Sequence, residues 1–373
     1  MKRENATEKP RVLLVFAGKM VLGGIEFSIL NNLRNFDHSA ITVDILERSK
    51  EKGMFDDEIE SFGGKVLLDS DEDDSFFGHA KKMKQIFKKG NYSIVYFHTD
   101  CFDSTDVFLS FLFGVRCRIL HSHNNADPFL KKRRRIKMFV NSFCTNYHFA
   151  DSKEAGEWLF GKRQFTVLKP SIDLGKFVFS KENREFVRKS YGIADDAFVV
   201  GCIGHFVPLH KNQSFLIDVF REIVAKKPNS YLVFVGEGPE KEELVEKAKQ
   251  TSDHILFIGN SIHIPTSFFY SAFDVFCLPS FHEGLPLVVM EAVANGLYCV
   301  NSTNVPLDQA LNKEIFRLAL SDGVTKWAKT IIDVGMLGRQ STGFDNLLSN
   351  GYDAKDSANR LQAFCLGLSK KKR

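Results

Sequence analysis

Two carboxylates, Glu283 and Glu291, lie eight residues apart in LPSFHEGLPLVVMEAVANG, residues 278–296. The stretch leaves an apolar strand at 274–278, crosses a short polar loop and enters a helix that is apolar on nearly every side except at Glu291. A helix apolar all round is normally buried, and a carboxylate inside it is costly unless something pairs with it. Glu291 is therefore expected at a cleft rather than in a core. If most of the interval is helical, the two acids are on the order of 10 Å apart at about 1.5 Å per residue. That span is the reach of a nucleotide sugar across its diphosphate. Between the acids, Gly284 permits close backbone approach and Pro286 suits a first helical position, with Leu285 and Leu287 beside them. The free amides of such a helix start form an anion site. The spacing alone fits equally well a surface acid in a loop and an acid on a partly exposed helix face.

A cation suited to a diphosphate stands in GCIGHFVPLHKN, where Lys211 precedes a second helix start and His205 lies six residues before it. Loop lysines are usually solvated, so Lys211 is a weak signal by itself. Gly236-Glu237-Gly238-Pro239 reads as a turn, short of any P-loop. Gly23-Gly24 opens the first helix without the G-x-G-x-x-G of a dinucleotide site. It serves either a tight strand-to-helix turn or a close approach to substrate. His98 and the pair His121 and His123 follow strand ends, and alternate residues on a strand share a face. They resemble the start of a metal site, but no carboxylate sits at the proper spacing. A single cleft histidine contacting sugar or phosphate is the better reading, and no metal is assigned.

These loops need strands and helices to hold them. The first half alternates β-branched or aromatic runs with helical patterns, the mark of a parallel sheet covered by helices. Strands are expected at 12–16, 41–46, 65–68, 94–97, 118–120, 147–150 and 165–168. Helices are expected between them at 26–36, 55–62, 76–89, 105–113, 129–143 and 153–160. The same grammar restarts after residue 180, with strands at 198–203, 231–235, 255–258, 274–278, 298–300 and 316–318. Its helices are expected at 212–226, 240–250, 265–272 and 286–295. The expected architecture is α/β, with Rossmann-like domains at 1–180 and 181–353 and a last helix with a basic tail at 354–373, packing back on the first. Doubly wound domains bind ligands at the carboxyl ends of their strands, where all the candidate loops lie.

The 373 residues, 44% hydrophobic and 26% charged, suit a globular protein with real cores. No apolar run reaches a membrane span, and no signal-peptide core follows the charged start, so the chain is expected in the cytoplasm. The seven cysteines are scattered without metal or redox spacing and read as buried thiols. The net charge is only +4, but Lys131, Lys132, Arg133, Arg134, Arg135 and Lys137 form one basic run leading into Met138, Phe139, Val140 and Phe143. Basic and apolar residues on one helix point to an anionic membrane surface. No nucleic-acid motif accompanies them, so nucleic acid is not an expected partner.

Taken in order, the loops resemble those of the retaining glycosyltransferases of family 4, which have the GT-B architecture of two Rossmann-like domains with an interdomain cleft. The segments GGIEF, RILHSHNNA, FADSKEAGEWLFG and PSIDLGKF carry the resemblance in the first half. GCIGHFVPLHKN, YLVFVGEGPEKEEL and LPSFHEGLPLVVMEAVANG carry it in the second. The pattern is nearest to bacterial enzymes of capsule and exopolysaccharide synthesis. The resemblance implies that Glu291 binds ribose and Glu283 the donor sugar, while Lys211 and the amides of Gly284 to Leu287 hold the diphosphate. It implies His123 near the sugar, with His121 a rival, and Gly23 and Gly24 approaching the donor. Catalysis then needs no metal and no cofactor beyond the nucleotide sugar. His205 stands where the family usually has an arginine, and Pro170-Ser171 replace its Asn-Gly before Ile172-Asp173.

The implied activity moves a hexose or hexosamine from a UDP-sugar to a polyprenyl-linked oligosaccharide at the inner face of the cytoplasmic membrane. Other polysaccharide-synthesis enzymes are conceivable partners. A GT-B nucleotide-sugar epimerase and a non-catalytic partner subunit are the alternatives.

Overall fold

The computed structural model describes residues 9–16, 18–21, 23–69, 75–98, 104–123, 132–259, 264–306 and 308–370, with the side chains of 132–135 and 370 outside the description. The chain divides into two units, residues 1–171 with 354–373, and residues 172–353.

The first unit runs β1 (Arg11–Phe16), α1 (Gly24–Arg34), β2 (Thr42–Glu47), α2 (Asp56–Ser61), β3 (Val66–Leu68), α3 (Phe76–Lys89), β4 (Ile94–His98), α4 (Thr105–Leu112), β5 (Cys117–Ser122), α5 (Lys132–Cys144), β6 (Tyr147–Ala150), α6 (Lys153–Phe160) and β7 (Thr166–Val167). Its strands pair in parallel in the order β3-β2-β1-β4-β5-β6-β7. Runs such as RVLLVF and IVYFH are apolar at successive positions because both faces of the sheet are covered. Leu14, Tyr96 and Ile119 face one core, and Leu13, Val95 and Leu120 face the other.

The second unit begins at Ile172 rather than after the expected boundary at residue 180. Residues of the segment 172–180 hydrogen-bond within this unit: Ile172 N donates to Tyr352 O at 3.0 Å and Ser180 N to Ser271 Oγ at 3.2 Å. Asn295 Nδ2 reaches Phe177 O at 2.6 Å. The elements are α7 (Lys181–Ser190), β8 (Phe198–Ile203), α8 (Gln213–Lys226), β9 (Ser230–Val235), α9 (Lys241–Lys249), β10 (Ile255–Ile258), α10 (Thr266–Ala272), β11 (Val275–Leu278), α11 (Leu287–Ala294), β12 (Cys299–Ser302), β13 (Ile315–Leu318), α12 (Val324–Gly335) and α13 (Gly343–Ser349). The strand order is β10-β9-β8-β11-β12-β13, again parallel. This is the doubly wound order with a switch point between β8 and β11, where the loops at the carboxyl ends diverge and leave a crevice.

The last helix, α14 (Ala354–Lys370), belongs to the first unit. Leu361, Cys365 and Leu368 enter the core that holds Leu14 and Tyr96. Gln362 fixes the helix by accepting from Asp37 N and donating to Asp37 O, each at 2.9 Å.

Candidate active site

The switch point of the second unit gathers the expected cation and one expected acid. Lys211 Nζ lies 2.7 Å from Glu283 Oε1, and Ser280 Oγ donates to the same oxygen at 2.6 Å. The two come from different loops, Lys211 after β8 and Glu283 after β11. Phe281 N donates to His210 O at 2.8 Å, which ties those loops together. Asn212 Nδ2 adds a bond to Pro279 O at 3.2 Å. Glu283 is 8% exposed, so the reading as a free surface acid does not hold.

Glycines make this crowding possible. A Cβ on Gly204, which has φ +153, would meet Lys211 Cε at 3.0 Å. Gly236, expected only to turn the chain, has φ +151 and passes so near Gly204 that a Cβ would lie 2.2 Å from Gly204 O. The turn after β9 thus buttresses the loop carrying Lys211, and Phe206 N donates to Glu237 O at 2.9 Å. His205 is exposed on that loop, where its backbone carbonyl accepts from Gln213 Nε2 at 3.1 Å.

Gly284, Leu285 and Pro286 lead into α11, with Pro286 at the N-cap rather than at the first helical position and Leu287 opening the helix. The first amides of a helix have no intrahelical acceptor, so this entry presents N–H groups beside Glu283 in sequence. Glu291 lies on α11, and its Oε2 accepts from the Tyr270 hydroxyl of α10 at 2.5 Å. Burial pushes Glu291 up to about 7, and the tyrosine hydrogen bond opposes that rise. Sequence reasoning required a partner for this carboxylate but did not find Tyr270, because the pairing bridges two helices. Ser280 was missed as well, since one serine in a loop carries no spacing signal.

In the first unit the switch point lies between β1 and β4, and β5 is the next strand beyond β4, with His98 opposite His121. His98 Nδ1 is 2.9 Å from His123 Nε2, and His123 Nδ1 is 3.0 Å from Asp151 Oδ2. His121 Nε2 is 3.0 Å from Asp151 Oδ1, and its Nδ1 meets the Tyr96 hydroxyl at 2.7 Å. All three histidines and Asp151 are buried. Burial, with His123 beside it, lowers His121 to about 4, and burial with His123 and His121 lowers His98 still more clearly. Burial pushes Asp151 up, but His123 and His121 outweigh it and hold the carboxylate below its usual range.

Asp151 is thus the carboxylate that the spacing of the histidines did not reveal. It sits in FADSKE at the end of β6, the strand beside β5. The three histidines offer one nitrogen each within 4.8 Å of one another, a distance at which a metal is conceivable. Their rings are stacked, however, with His121 and His123 at 4.3 Å and His98 and His123 at 5.1 Å between centroids. Their nitrogens are engaged by one another and by their neighbours, His98 with His123, His123 with Asp151, and His121 with Asp151 and Tyr96. Gly23 caps α1 while the carboxylate of Glu26 folds over it, and a Cβ on Gly24 would meet nothing within 4 Å.

The basic run lies at the start of α5. Lys131 lies outside the described residues, as do the side chains of Lys132, Arg133, Arg134 and Arg135, while Lys137 is exposed. Farther along the helix, Ile136 and Phe139 are each 65% exposed and Phe143 is 59% exposed. The neighbouring α4 extends the apolar face with Phe108, Phe111 and Leu112, and the rings of Phe111 and Phe143 approach to 6.3 Å. Among the described residues, no helix is long and apolar enough to cross a membrane.

The family model of the glycosyl transferases group 1 matches residues 183–333. The chain is 30% identical over 380 residues, covering 96% of each chain, to "Putative glycosyltransferase EpsF" of Bacillus subtilis (strain 168). This chain belongs to the group 1 glycosyltransferases. It is also 24% identical, over 72% of this chain and 74% of the other, to the UDP-Gal:alpha-D-GlcNAc-diphosphoundecaprenol alpha-1,3-galactosyltransferase of Escherichia coli. HepE of Anabaena, solved in complex with UDP-glucose, superposes with a TM-score of 0.74 at 16% identity, covering 96% of this chain and 99% of that one. WaaG, a glycosyltransferase involved in lipopolysaccharide biosynthesis, does so with 0.64 at 12%, covering 96% and 98%. The glycosyltransferase therefore has the GT-B fold, built from two parallel-sheet Rossmann-like units.

Proposed function

We propose that this glycosyltransferase is a retaining, metal-independent hexosyl- or hexosaminyltransferase of capsule or exopolysaccharide synthesis, using a UDP-sugar donor and a polyprenyl-linked oligosaccharide acceptor. The observation that carries the reading is the Lys211–Glu283 pair at the switch point of the second unit. Breaking the bond between the anomeric carbon and the diphosphate leaves negative charge on the departing nucleotide. Lys211 and the amides of Gly284, Leu285 and Leu287 stabilise that charge, Pro286 having no N–H to donate, and preorganised donors of this kind favour the transition state over the ground state. Glu283 takes the sugar hydroxyls and Glu291 the ribose. His123 contacts the transferred sugar, and Gly23 and Gly24 let the backbone approach the donor.

A UDP donor and a lipid-linked acceptor are supported by the Escherichia coli galactosyltransferase, which is named for both, and UDP also by the ligand of HepE. Peripheral attachment at the inner face of the membrane is supported by the apolar rows of α4 and α5 beside the basic run. Release of UDP from a panel of UDP-sugars, with lipid-linked acceptor and with EDTA present, tests the reading. Turnover is expected to survive EDTA and to fall by about a hundredfold or more in Lys211→Ala, in line with removal of one charge-stabilising donor. Loss of turnover with EDTA, restored by a divalent cation, would overturn the metal-independent assignment. Failure of calorimetry to detect UDP binding would overturn the donor. Sedimentation with anionic vesicles tests attachment, and Phe139→Ser with Phe143→Ser is expected to leave the protein in the supernatant.

A further inference from the structure

The carboxylate of Glu291 is set in a helix whose other residues, LVVM and AVA, are all apolar. Among the described residues, its side chain hydrogen-bonds to one group, the Tyr270 hydroxyl. Tyr270 is fully buried, with its ring bounded by Phe177, Phe273 and Phe276 at centroid distances of 5.7, 6.1 and 5.8 Å. The C-terminal end of its helix is closed by Arg339, which donates to the carbonyls of Tyr270, Ser271 and Phe273. The hydroxyl therefore has little freedom to turn elsewhere. Burial and the adjacent carboxylate raise its own ionisation well above the ordinary range, so it remains an O–H donor throughout working pH.

The elements packed around α11 bring other ionisable groups: Lys176 from the turn Leu174–Phe177, Asp345 from α13, Cys277 from β11 and Cys299 from β12. Lys176 is paired with Asp173 at 3.2 Å. None of these is hydrogen-bonded to Glu291, so its charge rests on Tyr270 and on whatever occupies its second oxygen.

We propose that Tyr270 is a positioning residue for nucleoside recognition, holding Oε2 of Glu291 so that Oε1 is left to accept from a vicinal diol. The inference rests on the reading in which Glu291 takes the ribose of the donor. It adds a residue from another helix and a specificity, ribose over 2′-deoxyribose. A carboxylate fixed at one oxygen presents the other in one direction, which a freely rotating side chain does not. Losing this charge-assisted hydrogen bond frees the carboxylate to rotate and should weaken UDP binding about tenfold at neutral pH.

The test is calorimetry of UDP and 2′-deoxy-UDP from pH 6 to 9 with the full chain, its Tyr270→Phe variant and its Glu291→Gln variant. The wild type is expected to prefer UDP and to lose that preference as pH falls and Glu291 takes up a proton. Tyr270→Phe keeps the ring in its aromatic pocket, is expected to bind UDP about tenfold more weakly at pH 7, and should recover toward pH 9 as the carboxyl ionises without help. Glu291→Gln should be weak at every pH and indifferent to the 2′-hydroxyl. A Tyr270→Phe variant with the affinity and pH midpoint of the wild type, or one weakened equally at every pH, would overturn the role of Tyr270. If Glu291→Gln binds UDP like the wild type, the ribose assignment fails and the inference with it. Carbon-13 spectra of labelled glutamate supply a reading without ligand: the Glu291 midpoint should move upward in Tyr270→Phe, and an unmoved midpoint overturns the proposal.

Discussion

Asp151 in the first unit is buried and Glu291 in the second is half-buried, yet the two carboxylates reach opposite states. Burial pushes both upward. Asp151 is brought back below its usual range by His123 and His121, whereas Glu291 has a neutral hydroxyl and stays raised to about 7. The difference teaches that a buried acid is defined by its partners more than by its depth. Two imidazoles at 3.0 Å can take up a proton and a positive charge, whereas one phenol donates a hydrogen bond and stays neutral. The first arrangement locks a charge in place. The second leaves an acid poised between its two states near neutral pH.

The harshest way to break the comparison is to remove the paired acid. Asp151→Ala leaves His121 and His123 buried without their carboxylate, and it should destabilise the first unit by about 3–5 kcal/mol, the usual result of taking one partner from a buried pair. Urea unfolding would measure this, and a loss below about 1 kcal/mol would mean that the cluster is held by other contacts.

Next in size is the opposite effect at Glu291. Its folded-state ionisation is raised from 4.5 to about 7. The folded protein therefore holds this proton more tightly than the unfolded chain does. The penalty for ionising it is absent below 4.5, grows as pH rises through the interval and is complete above 7. Its ceiling is about 3 kcal/mol by linkage. Glu291→Gln should thus match the wild type in stability near pH 4 and exceed it by about 1–3 kcal/mol at pH 8. Equal melting temperatures at pH 8 would show the carboxylate to be better solvated than its packing implies.

The histidine side gives the converse pH dependence. His121 is lowered from 6.5 to about 4, so the folded state resists a proton that the unfolded state accepts. Stability from this group is complete above 6.5 and is lost as pH falls toward 4. Imidazole resonances should show His121 neutral at pH 5.5, and a midpoint near 6.5 would dissolve the contrast with Glu291. The smallest expected effect is at His205. Replacing it with arginine supplies a permanent, forked cation on the loop of Lys211 and should tighten UDP binding severalfold, about 1 kcal/mol. Unchanged affinity would place His205 outside the diphosphate's reach.

Much of the fold was legible in the sequence. Strand runs such as FVVGCI and YLVFV announce themselves because strands buried on both faces are apolar at every position. The helices α7, α12 and α13 were not foreseen. In KENREFVRKS the charged residues mask the face that buries Val187, and α12 depends on Trp327 finding the core beside Phe215. The boundary at residue 180 was placed late because 172–180 has no period of its own and is held by bonds from Tyr352, Ser271 and Asn295.

Of the site, sequence alone determined the residue types and their order along the chain: glutamates around a helix start, a lysine before another, and histidines on one strand face. These follow from local spacing, which a chain carries with it whether folded or not. Tertiary structure decided who meets whom. Lys211 reaches Glu283 across β8 and β11, Tyr270 reaches Glu291 across two helices, and Asp151 reaches His121 and His123 from the next strand. The last two pairings bear on the charge of Glu291 and Asp151, because the field at such a group comes from neighbours within a few ångströms of space and not from neighbours in sequence.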